Sequence, residues 1–262
     1  VKVSGIIYRI YLYSWKEDAF LKKVQNVLKY TLLKYFNVFE SLFVLNDNSG
    51  NVYLNRLYKT DKFKYLPDPF VPIAVGASKI HKEFNIKPYK KVFLHFGGLT
   101  KRKGTLEIMK TIGLLEPEEA KLYTFIFAGK VYKDIKEEFY SIFRKKKTEI
   151  EIFVFDEFCS FEFIGELCSI SNYILIPYKN TIQSSGLLGY AAQYEIPVIG
   201  PDKHLLGKLI RKYKIGYTLK DTSPKTMKNH LSKISNKEIN VSNRYLKDNT
   251  RENFSNIIFE IF

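Results

Sequence analysis

From Lys91 onward, short runs that are apolar almost throughout (KVFLHF, YTFIFA, EIFVF, YILIP, IPVIG) alternate with longer segments whose apolar residues recur every three or four positions. Apolar runs without a polar face suit strands buried on both sides, and the intervening periodicity predicts helices at about Lys103 to Leu115, Asp134 to Arg144 and Phe161 to Ser169. GLLGYAAQYE and HLLGKLIRKYKIG predict two more helices. Strands alternating with helices indicate an α/β fold, a parallel sheet with helices on both faces. The first third reads as a partial αβ piece: VSGIIYRIYLY as a strand, Glu17 to Phe39 as a helix, and SLFVLND as a short buried strand stopping at a turn-forming NDNSG cluster. The proline-rich stretch LPDPFVPIAVGASKIHKEFNIKPY lacks periodicity and reads as a linker. These patterns divide the chain into an N-terminal remnant (1–68), a linker (69–90), a main α/β domain (91–240) and a C-terminal helix (241–262).

A 45% hydrophobic content over 262 residues suffices for a real core and excludes a disordered chain. No apolar run is long enough to span a bilayer, and the opening VKVSGIIYRIYLY lacks the features of a signal peptide and reads like the middle of a domain. Cys159 and Cys168 have neither a second pair nor His at ligand spacing, which leaves reduced thiols as the expectation. Lys and Arg number 42 against 27 Asp and Glu, so the chain carries +15 and favours polyanionic company. The lysines are scattered rather than gathered into a footprint interleaved with aromatics, which argues against nucleic acid.

In an open parallel sheet, ligands collect where strand carboxyl ends lead into helix N-termini, whose free amides suit phosphate. Two loops fit. In HFGGLTKRKG, Gly97 and Gly98 let the backbone approach a ligand, and Arg102 and Lys103 stand at the next helix. In YKNTIQSSGLLGYAAQ, the residues Gln183, Ser184, Ser185, Gly186 and Leu187 place an amide side chain, hydroxyls and backbone donors before an apolar helix, although Ser there also serves as a plain N-cap.

Taken in order, GGLTKRKG (97 to 104), FIFAG (125 to 129), ISNYILIPY (170 to 178) and SSGLLGYAAQYEIPVIG (184 to 200) resemble the C-terminal domain of family 4 glycosyltransferases and their GT-B relatives. The resemblance covers about Lys91 to Leu219. It implies a Rossmann-like domain that binds a nucleoside diphosphate sugar and, with no cofactor and no metal, passes a hexose to a saccharide or lipid-linked acceptor, with retention of configuration. It gives Lys103, with Arg102 beside it, the catalytic task of neutralising the leaving diphosphate. Gly97 and Gly98 give the diphosphate room, Gln183 to Leu187 supply amides and a sugar contact, and the base sits near Glu157 to Cys159, with Phe158 as its platform. The departures are specific: Gly98 replaces the family's Arg, Ile182 and Tyr190 replace two glutamates, Glu195 replaces a glycine, and Asn172 replaces an Asp. A variant donor loop and a noncatalytic nucleotide-binding module of the same fold both follow from those losses. The basic balance further suggests an anionic membrane surface as partner and a cytoplasmic, peripheral location. His95, ending a strand beside the glycine loop, is read as packed, with ligand contact as the alternative.

Overall fold

The computed structural model describes residues 3–73, 84–234 and 239–260. The middle of the expected linker, 74–83 with His81, lies outside the described residues, as do 235–238 and 261–262.

The apolar runs form a six-stranded, all-parallel sheet: β4 (Lys91–Phe96), β5 (Tyr123–Ala128), β6 (Glu151–Phe155), β7 (Tyr173–Leu175), β8 (Val198–Pro201) and β9 (Gly216–Leu219). Their spatial order is β6-β5-β4-β7-β8-β9. The order reverses between β4 and β7, so their carboxyl ends flank the crevice where such sheets hold ligands. Because side chains alternate along a strand, Leu94 and Phe96 face one layer of helices while Phe93 faces the other. Phe93 stacks on Phe125 at 5.2 Å and on Tyr173 at 5.3 Å, an aromatic row across three strands. Asn172 takes over a joint at the sheet entrance: its Oδ1 accepts the Val92 amide at 2.7 Å, a bond an amide oxygen makes as readily as a carboxylate.

The N-terminal piece is fuller than its pattern suggests. β1 (Val3–Ile7), β2 (Phe39–Leu45) and β3 (Phe63–Leu66) form a three-stranded parallel sheet in that order. VSGIIYRIYLY is not one strand: β1 ends at Ile7 and Tyr11–Tyr13 makes a single 3-10 turn. Helix α1 spans Phe20–Tyr35. The NDNSG cluster is a helix start rather than a turn, because the Asp47 carboxylate accepts the Gly50 amide at 3.0 Å and caps helix α2 (Asn48–Tyr58). The expected C-terminal helix is two, Arg244–Asp248 and Arg251–Phe259, broken where the fully buried Asn249 turns inward and Thr250 caps the second. Cys168 is buried and Cys159 half-buried, both as free thiols.

Glu195 supplies a stability test. It adopts a left-handed φ of 55°, the conformation that a glycine holds without strain. Glu195→Gly is expected to raise stability by about 0.5–1 kcal/mol, read as a higher urea midpoint. A lower midpoint would mean that the glutamate side chain contributes more than its backbone costs.

Candidate functional site

The loop after β4 is built on two close backbone approaches. Gly97 has φ 87° and Gly129, just after β5, has φ 139°; a Cβ on Gly129 would lie 2.0 Å from the Gly97 carbonyl oxygen. The two strand ends therefore touch through bare backbone. Asp156 braces the outer side, accepting the Val131 amide at 2.8 Å and the Tyr140 hydroxyl at 3.0 Å; those bonds, with Lys136 and Lys130, outweigh its desolvation and hold its pKa down at about 2. Thr100 then caps a 3-10 turn, Lys101–Lys103, by accepting the Lys103 amide at 3.2 Å. Gly104, at φ 74° and pressed against the Pro177 carbonyl, turns the chain into the helix Thr105–Gly113.

That turn folds Lys103 back over its own loop. A Cβ on Gly97 would lie 2.5 Å from the Lys103 Nζ, so glycine is what leaves space for the ammonium. The ammonium sits 5.7 Å from the Tyr178 ring centroid. Among the described residues, Lys103 Nζ has no acidic or hydrogen-bonding partner. Burial, with the neighbouring Arg102 charge, pulls its pKa down from 10.5 to about 8. A half-buried cation with no counter-ion among the described residues, at the crevice of a parallel sheet, has the chemistry that suits an anion.

The two predicted loops are locked together. The Lys179 amide donates to the Arg102 carbonyl at 3.0 Å, and the Lys179 ammonium pairs with Glu107 at 2.5 Å. Tyr178, fully within the core, meets Ser185 Oγ at 3.5 Å. Ser185 Oγ in turn accepts the Leu187 amide at 3.4 Å, while Gly186 is exposed at the head of the helix Leu187–Gln193, where a Cβ would meet nothing within 4 Å. Tyr178 and Lys179 were not foreseen as site residues; only the tertiary pairing of the loops reveals them.

The other predicted residues divide. Gly98 lies beside the Tyr132 ring, and Arg102 is exposed at the mouth. Gln183 is half-buried. Ser184 faces the N-terminal sheet, where the Asn46 side-chain amide donates to its hydroxyl at 3.0 Å. Phe158 stands 89% exposed beyond β6, far out on the sheet edge, with no ring partner among the described residues. His95 is fully buried; Nδ1 meets the Leu175 carbonyl at 2.8 Å and Nε2 meets Thr105 Oγ1 at 2.9 Å. Burial lowers its pKa to about 4, so it is a neutral tie between β4 and β7. Tyr190, where the sequence resemblance leads to the expectation of a glutamate, packs edge-on against Phe70 and Phe96 at 5.3 and 5.2 Å.

The seam between the sheets has its own anchors. Asn46, buried with φ 55°, donates to both Ser184 and the Tyr245 hydroxyl, the latter at 3.3 Å. Lys208 pairs with the buried Asp47 at 3.1 Å. Asn46→Ala is expected to cost about 2–3 kcal/mol in urea denaturation, since it removes one buried and one part-buried hydrogen bond and puts alanine in a left-handed conformation. A loss under about 1 kcal/mol would show that the seam contributes little.

Comparison with solved structures places this geometry. Anabaena HepE in complex with UDP and glucose aligns with a TM-score of 0.72 at 11% identity, covering 99% of this chain and 71% of HepE. This is the GT-B glycosyltransferase fold. Other GT-B matches include WaaG, a glycosyltransferase involved in lipopolysaccharide biosynthesis (TM-score 0.64, 14% identity, 96% of this chain and 70% of WaaG). A further match is a UDP-forming α,α-trehalose-phosphate synthase from Burkholderia xenovorans in complex with glucose-6-phosphate (0.67, 9%, 100% and 68%). No protein-family model and no curated protein sequence matches the chain. Within the GT-B frame, the Lys103 crevice lies on the six-stranded sheet and the Asn46 seam joins that sheet to the smaller one.

Proposed function

We propose that the chain transfers a hexose from a nucleoside diphosphate sugar to a saccharide or lipid-linked glycan acceptor in cell-surface polysaccharide synthesis. The observation that carries this reading is Lys103: a partly buried ammonium with no counter-ion among the described residues, held under Gly97 at the strand-order reversal. A diphosphate leaving group develops charge as the sugar departs, and a fixed cation in a water-poor crevice stabilises that charge more in the transition state than in the ground state. Arg102 adds a second, exposed cation at the mouth. The loop from Gln183 to Leu187 lies opposite, positioned by Tyr178 and the Lys179–Glu107 pair, and supplies backbone amides and the Gln183 side chain to phosphate and sugar. Gly98 leaves room beside the diphosphate, and Phe158 offers a ring to the base at the sheet edge. UDP is the preferred first candidate donor nucleotide because HepE holds it in the same fold. The proposed transfer retains configuration, runs without a metal, and takes place at the cytoplasmic face of an anionic membrane. Among the described residues no helix is long and apolar enough to cross one.

Tyr190 favours a second reading, a nucleotide-binding module without transfer. Its ring is committed to Phe70 and Phe96, so no side chain at that position reaches a ribose as a carboxylate would.

Calorimetric titration with UDP, GDP and ADP tests the site, and release of nucleotide from the matching sugar donor separates the two readings. Binding of one nucleotide with acceptor-dependent release supports transfer. Binding without release supports the module. No binding by a protein that melts cooperatively removes the donor site altogether.

A further inference from the structure

A cavity apart from the donor crevice stands open among the described residues. It lies in the N-terminal piece, between the 3-10 turn, α1 and α2, with a volume of about 990 Å³, at the upper end of the roughly 300–1,000 Å³ usual for ligand pockets. Its floor is aromatic: the Tyr11 and Tyr58 hydroxyls bond each other at 2.7 Å, so their polar ends are mutually satisfied. Trp15, Tyr53 and Leu57 form exposed apolar walls. Among the described residues no Asp or Glu lines it, whereas Lys34, Lys59 and Lys208 do. Lys208 is committed to Asp47; Lys34 and Lys59 have no acidic partner among the described residues. Lys34 lies over the Tyr35 ring at 4.7 Å, and an apolar chamber edged by cations without a carboxylate partner among the described residues is complementary to a molecule with a hydrocarbon tail and an anionic head.

Position ties this chamber to the donor loop. Ser49 and Gly50 line it in the first turn of α2, and Asn46, two residues before that helix, bonds Ser184 in the second loop. One short segment therefore forms a wall of the chamber and a contact of the donor loop. The geometry points to a binding site for a single-chain lipid phosphate, the tail lying against Trp15 and Leu57 and the head meeting Lys34 and Lys59. On the transfer reading given above, that molecule is the lipid part of the acceptor.

Trp15 is the chain's single tryptophan, so its fluorescence reports on this wall alone. The full chain is titrated below micelle formation with decyl and dodecyl phosphate, with dodecyl maltoside as a neutral control and inorganic phosphate as a headgroup control. Expected is a saturable blue shift with dodecyl phosphate, about tenfold tighter than with decyl phosphate for the two extra methylenes. The control ligands should give at least a tenfold weaker response. Leu57→Asp should abolish the shift, and Lys34→Glu with Lys59→Glu should erase the preference over dodecyl maltoside, while UDP titration stays unchanged in both. Equal response to the neutral detergent, or a shift that survives Leu57→Asp, overturns the site. A concentration-dependent dimer dissolved by Leu57→Asp assigns the face to a second copy and likewise overturns it. UDP binding without an alkyl phosphate response sinks this site and leaves the donor reading standing; the reverse result sinks only the donor reading.

Discussion

Lys103→Ala weakens UDP binding by about 10- to 100-fold and leaves the melting temperature unchanged or raised, as calorimetry and thermal denaturation will report. The size follows from losing a charge-assisted contact to phosphate of about 1.5–3 kcal/mol. The sign on stability follows from the ammonium's surroundings: it is desolvated over the Tyr178 ring with no counter-ion among the described residues, so its removal relieves a cost. A large loss of stability would show instead that Lys103 is a structural prop. The same group sets a pH dependence. Its folded pKa is depressed from 10.5 to about 8, so between those values the unfolded chain binds more protons than the folded one. Stability of the unliganded protein therefore rises across that window as pH increases, with the full penalty present below about pH 8. Nucleotide affinity moves the other way, falling above about pH 8 as the ammonium loses its proton. Affinity flat from pH 7 to 10 would place the phosphate elsewhere.

Gly129→Val is expected to lower stability by about 3 kcal/mol or more, a fall in melting temperature of roughly 10 °C. Two penalties add there: φ 139° is a conformation that β-branched residues avoid, and the new Cβ would meet the Gly97 carbonyl oxygen at 2.0 Å. Because the clash is with backbone, no rotamer relieves it. The displaced Gly97 loop also loses its grip on Lys103, so UDP binding fails even at temperatures where the variant stays folded. A variant with unchanged melting would mean that the β4 and β5 ends can part without consequence.

The two effects meet at a site whose halves were unequally legible in sequence. β4 to β8 could be read directly because strands buried on both faces leave uninterrupted apolar runs, and the glycines after β4 announced a close approach. Lys103 was visible as a residue type at a helix start. Its pairing with Tyr178 was not, since that contact depends on how loops about 75 residues apart in sequence come together across β4 and β7. Helix α2 was hidden because Asp, Asn, Ser and Gly serve turns and helix starts alike, and only the Asp47–Gly50 bond decides which. The direction of the Ser184 hydroxyl was hidden for a related reason: a hydroxyl at a loop mouth can face either side, and its bond from Asn46 turns it to the seam.

The crossing segment from Leu66 to Ile73 bears on how the two sheets can move. Pro67 and Pro69 lock φ at alternate positions, the Asp68 and Phe70 amides both bond Asn249, and Gln193 grips both backbone groups of Ile73, at 3.1 and 2.6 Å. The Phe70 ring fills the space that a Cβ on Gly189 would need. Few torsions between the sheets remain free on this strand of chain. Over these described residues the chain is a stiff tie, and on the transfer reading proposed above it presets the approach of acceptor to donor at folding.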